Sequence, residues 1–94
     1  MEITLGTIKG RHEMPVDKFV FDEVADVTDV AAIRKHVEEV LSKLVGDSDS
    51  LVVYVTGLTL VTVEITRWAS LKHVGLTFKH YDAKKHDYFD EKVF

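Results

Sequence analysis

Leu51-Val52-Val53-Tyr54-Val55, followed at once by Thr56-Gly57-Leu58-Thr59 and a segment running to Lys72, decides how this chain is read. Five apolar positions without a polar interruption describe a strand covered on both faces. The segment 58–71 carries two periods at once. Val61, Val63 and Ile65 alternate with Thr62, Glu64 and Thr66, as in a strand, while Leu58, Val61, Ile65 and Trp68 recur at helical spacing. As a strand, it would turn residues 56–59 into a hairpin loop. The helix is the better reading, because the segment exceeds the usual ~5–6 residues of a strand and a doubly buried strand needs cover.

Working outward, Val30 to Val45 is a second helix. Val30, Ile33, Val37, Val40, Leu41 and Leu44 form its apolar stripe, with Arg34, Lys35, Glu38, Glu39 and Lys43 opposite. Thr28 or Asp29 can cap its start, and Gly46 can end it in the left-handed conformation. Glu2 to Ile8 alternates as a strand, although Gly6 interrupts it. Lys18 to Phe21 reads as a short strand antiparallel to the first. His73 to His80 is another strand, residues 83–86 a turn, and Tyr88 to Phe94 a final strand paired back on it. The expected fold is α/β or α+β: a single domain, 1–94, with a small mixed sheet and two helices.

Ninety-four residues support one core. The formal charge of −4 argues against a duplex-binding module, which needs a basic face. It leaves room for a small anion held by a local cluster of amides and imidazoles. With no cysteine, disulfides, thiolate metal sites and thiol nucleophiles are ruled out. No apolar run approaches the ~20 residues of a membrane helix, and the start lacks the layout of a signal peptide. A cytoplasmic protein is expected.

Three places carry residues suited to chemistry. If Leu58 opens a helix, the loop Thr56-Gly57-Leu58-Thr59 aims free amides at the end of the preceding strand, an anion site with Thr56 and Thr59 hydroxyls beside it. Read without a ligand, Gly57 makes a tight turn and Thr59 a helix cap. His80 and Asp82, two apart on a strand, share a face and offer imidazole and carboxylate to one divalent ion. The plainer reading gives Asp82 to the turn. His73 stands where a helix ends, and histidine changes charge near neutral pH. Arg11 and His12, in the loop before Pro15, are further candidates for ligand contact. His36 and His86 read as surface residues, and Trp68 as core or dimer contact.

Val52-Val53-Tyr54-Val55-Thr56-Gly57, a helix-length segment, then His73, a short apolar strand and Tyr81-Asp82 resemble the small CRISPR-associated, manganese-dependent ring nucleases that degrade cyclic tetra-adenylate. The resemblance runs from about Val52 to Phe89. It implies binding, and cleavage as a phosphodiesterase, of a cyclic oligoadenylate messenger. It implies phosphate contacts from Thr56, Gly57, Leu58 and Thr59, Mn²⁺ on Asp82 and His80, and catalysis by His73 and Asp82. The family's loop carries an arginine after the glycine, where Leu58 and Thr59 stand here.

Nine residues separate His73 from Asp82, on the order of 25–30 Å along an extended strand. Both can serve one substrate only across subunits, so a homodimer or larger homo-oligomer is expected. The alternative is a non-enzymatic partner-binding domain of a phage or mobile element, pairing through Tyr88, Phe89, Val93 and Phe94 on its last strand.

Overall fold

In the computed structural model, which describes residues 1–10 and 14–94, the elements run β1 (Glu2–Ile8), β2 (Phe19–Phe21), α1 (Val30–Leu44), β3 (Ser50–Tyr54), α2 (Thr59–Lys72), β4 (Leu76–Asp82) and β5 (Asp87–Lys92). The strands form one mixed sheet in the order β2-β1-β3-β4-β5. The first four are parallel, and β5 runs antiparallel to β4. This is the expected α/β domain of a small mixed sheet and two helices. Among the described residues no helix is long and apolar enough to cross a membrane.

The segment 58–71 is helical. Its buried positions are Val61, Glu64, Ile65, Trp68 and Ala69. The threonines that suggested a strand are accommodated by bonding back one turn: the Thr62 hydroxyl donates to the Leu58 carbonyl at 3.3 Å and that of Thr66 to the Thr62 carbonyl at 2.9 Å. For α1 the cap is Asp29, whose carboxylate accepts from the Ala32 amide at 3.1 Å. Its end differs from expectation. Val45, in extended geometry, is the C-cap, and the Gly46 amide donates to Asp49 Oδ2 at 2.8 Å. The chain leaves α1 straight toward β3, so no left-handed residue is needed there.

Two further expectations are corrected. The second strand is parallel to the first, with Gly6 beside Phe19 and Ile8 beside Phe21. The connection 9–18 is longer than an ordinary hairpin loop of about two to five residues, so proximity in sequence did not imply an antiparallel pair. Nor do the helices cover β3 on both faces. From β2 through α1 to β3, and from β3 through α2 to β4, the chain crosses in the same direction, and crossovers between parallel strands are right-handed. Both helices therefore lie on one face, where they share a core with Leu5, Leu51, Val53, Leu76 and Phe78. Val52 is still buried, on the opposite face. Tyr54, on that same face, meets Tyr88 edge-on at 4.7 Å between ring centroids.

Gly6 now has a reason. A methyl group at this position would come within 2.5 Å of the Phe19 ring and 3.0 Å of Met14 Sδ. The glycine lets an aromatic ring lie against the backbone of β1. Glu64, on α2, is buried and takes a two-pronged ion pair from Arg34 on α1, at 2.8 Å and 3.1 Å. The pair spans the seam between the helices.

Gly6→Ala should cost about 1–3 kcal/mol, because the Phe19 ring must leave its place; urea unfolding will read this, and an unchanged midpoint would contradict the packing. Arg34→Leu supplies a second test. The Arg34 hydrogen bond holds the Glu64 carboxyl below the ordinary glutamate value of 4.5, against the burial that raises it. With the folded pKa depressed, the pair's stabilisation is present above that value and is lost as pH falls through the folded pKa. Without Arg34 the burial that raises it is opposed only by the weaker attraction of Arg67, so the carboxyl shifts toward its neutral form. The deficit of Arg34→Leu relative to the parent should therefore be largest near pH 7 and shrink toward pH 4.

Candidate functional site

The order of strands reverses at the centre of the sheet. The chain leaves β1 toward β2 on one side and leaves β3 toward β4 on the other. In open α/β sheets the crevice outside the carboxyl ends of such a strand pair is where ligands bind. Here that place is the ends of β1 and β3, where the loop 56–58 follows β3 into α2.

Thr56 is turned inward. It is buried, its amide donates to Thr7 Oγ1 at 3.1 Å, and the Thr7 hydroxyl donates to Thr56 Oγ1 at 3.1 Å. These two bonds clasp the ends of β1 and β3. The hydroxyl expected to face a ligand instead anchors the loop from below. Thr7 is the residue that sequence reasoning missed, reading it only as part of an alternating strand. A threonine at a buried strand end, with a second one just past the end of the neighbouring strand, is the signal that could have found it.

Gly57 is exposed, and a side chain there would meet nothing within 4 Å. The fold itself does not require a glycine at this place. Leu58 is the N-cap of α2, and its side chain makes no capping bond. Thr59 is the first helical residue rather than a cap, and its side chain is exposed. The amides of the first turn have no partners inside the helix, and they open at the crevice with the positive end of the α2 dipole. Beside them lies an apolar groove of about 210 Å³ lined by Val24, Val27, Ile33, Leu58 and Leu60.

The carboxyl end of β4 is on the same edge of the sheet, because β4 runs parallel to β3 with Tyr54 level with Lys79. Asp82 is half-buried. Its Oδ1 accepts from the amides of Lys84 at 2.9 Å and Lys85 at 3.3 Å, so it does form the hairpin turn. His80 Nε2 lies 2.8 Å from Glu91 Oε1, and its ring stacks on Phe89 at 5.3 Å. His80 and Asp82 share a face, as their spacing requires, but each is drawn to a different neighbour. Among the described residues no group of three imidazole or carboxylate side chains gathers at one point. Within one subunit this donor set does not fit a resident Mn²⁺.

His73 stands at the opposite edge of the sheet. It ends α2 as the C-cap, with φ of 56° in the left-handed region, and its amide donates back to Ala69 and Ser70. The structure thus gathers Thr56, Gly57, Leu58, Thr59, His80 and Asp82 on the carboxyl edge and separates His73 from all of them. His36 is not a simple surface residue. It is half-buried, stacks on Phe21 at 4.2 Å, and its Nε2 is 2.7 Å from the Val20 carbonyl, tying α1 to the edge strand β2. His86 is exposed in the turn. Arg11 and His12 lie outside the described residues.

No protein-family model, curated protein or solved structure matches the chain.

A left-handed residue with a side chain is strained where glycine would be relaxed. His73→Gly should therefore stabilise the fold by about 0.5–1 kcal/mol. Thermal unfolding will show it, and a lower midpoint would mean that the imidazole supports the fold itself.

Proposed function

We propose that the carboxyl edge of the parallel strands binds the phosphodiester of a cyclic oligonucleotide, of the cyclic tetra-adenylate class. The observation that carries this reading is the uncapped start of α2 at the strand-order reversal. Phosphate would accept from the first-turn amides of α2, with Gly57 leaving the approach open and the Thr59 hydroxyl beside it. The apolar groove next to those amides suits one face of a base.

Cleavage of the ring would need a proton acceptor near the phosphodiester. His73 has the right chemistry and the wrong edge, so it would come from a second copy docked across the carboxyl edge of the first. Asp82, with Oδ1 held by turn amides and its second oxygen not so engaged, would orient the substrate or the incoming imidazole. No step is assigned to a metal, since His80 and Asp82 do not converge.

One observation favours a second reading, a partner-binding domain. Phe89 is 54% exposed on β5, an edge strand, and Phe94 is exposed just beyond it. The rest of that surface is less open than the sequence suggested. Tyr88 is half-buried, and Val93 lies past the strand's end with its amide donating to the Leu76 carbonyl at 2.8 Å.

Thermal unfolding with cyclic tetra-adenylate separates the two. A ligand at a hundred times its Kd stabilises by about 2.7 kcal/mol. Gly57→Val should unfold at the parent's temperature without ligand, because the new side chain enters open space, and should lose the ligand-induced rise. An equal rise in both proteins would move the ligand away from the loop. No rise in either would leave the partner-binding domain as the better account.

A further inference from the structure

We propose that the outer seam between α1 and α2 is a binding site for a small carboxylate, held by the Trp68 indole N–H together with Arg67 and Lys72. The seam lies on the helical layer, away from the crevice at the strand ends.

The first observation is an unanswered donor. Trp68 is 6% exposed, and its Nε1 is closed off from solvent without a hydrogen-bond acceptor. Buried polar groups are rarely left so. Among the described buried side chains this is the one nitrogen or oxygen in that condition. An acceptor is missing from the place where the indole sits.

The second observation is the shape and charge around it. Trp68 lines two neighbouring grooves, of about 210 Å³ and 160 Å³, and Lys72 lines both as well. In the larger groove three cations, Arg34, Arg67 and Lys72, face two carboxylates, Glu38 and Glu64. Arg34 and Glu64 answer each other in the two-pronged pair. Asp47 lines the smaller groove, so the two grooves together hold as many carboxylates as cations, and the call for an acceptor comes from the unanswered indole N–H beside the Arg67 and Lys72 donors. A carboxylate, with its planar oxygens, fits these donors. One oxygen accepts from the indole, and the guanidinium of Arg67 can take the pair of oxygens side by side. Lys72 and Arg67 are exposed long side chains, free to swing aside as the ligand enters and to close on it afterwards.

This chain has a single tryptophan, so one indole N–H resonance reports on the site. The full-length ¹⁵N-labelled protein is titrated with sodium acetate, with inorganic phosphate and with sodium chloride, at constant ionic strength and pH. Acetate should move the indole proton downfield along a saturating curve, and chloride should not. Arg67→Gln and Lys72→Gln change exposed residues and leave the core intact. Each should weaken the acetate midpoint by about tenfold, as expected for losing a hydrogen bond to a charged group. An indole resonance that stays put overturns the site and leaves the donor to a bound water. Tighter binding of phosphate than of acetate overturns the carboxylate assignment. Unchanged midpoints in both variants overturn the roles given to Arg67 and Lys72.

Discussion

Both helical crossovers of this fold run in the same direction across the sheet, and a right-handed crossover can then place its helix on one side only. With α1 and α2 forced onto the same face, they must pack against each other as well as against β1, β3 and β4. Val37 and Leu41 from α1, and Val61, Ile65 and Ala69 from α2, complete one core with Leu5, Leu51 and Val53. Two helices side by side on a twisted sheet leave a seam at their outer surface. Arg34 and Glu64 cross that seam, and Trp68 fills it from below. The same constraint fixes where each helix begins. Both start at the carboxyl edge of the strands, so the positive end of α2 opens beside the clasp between Thr7 and Thr56.

How much of this was legible depended on whether the signal was local. The stripe of α1 and the burial of Leu51 to Val53 were plain, because period and apolar content agreed there. For 58–71 period alone was divided, and length tipped it correctly. The hydroxyls of Thr62 and Thr66 resolve the conflict, since a threonine can satisfy itself inside a helix by bonding back one turn. The direction of β2 was not legible. A strand of three residues carries no orientation in its composition, and the partner it chooses is set by the path of the connection before it. The one-sided helical cover of β3 was hidden for a related reason. Val52 is buried without a helix above it, and the sequence writes both kinds of burial in the same letters.

The candidate site divides in the same way. The loop at 56–59 was visible because glycine after an apolar run is a local sign. That Thr56 would turn inward was not visible, because its partner Thr7 is forty-nine positions away in the chain. His80 and Asp82 share a face, as strand geometry demands, yet a shared face is not a shared point. Asp82 finds nearer donors in its own turn, and His80 finds a carboxylate and an aromatic ring on β5. Spacing along one strand could not reveal these competitors on the next.

The position of His73 limits any assembly in which it serves the crevice. Helix α2 has 14 residues, about 21 Å at ~1.5 Å per residue, and it carries the open amides at one end and His73 at the other. A second copy must therefore bring its amino edge to the first copy's carboxyl edge. Two arrangements do so. Side by side and antiparallel about a two-fold axis, each copy offers His73 to the other, and two complete sites form in one closed dimer. End to end, each interface completes one site and leaves an unfinished half at either end of the stack, so the assembly closes only as a ring or continues as a filament. The loop edges alone are available to the second arrangement. His73, left-handed at the end of α2, stands at the amino edge, so it reaches a crevice only in an assembly that joins an amino edge to a carboxyl edge.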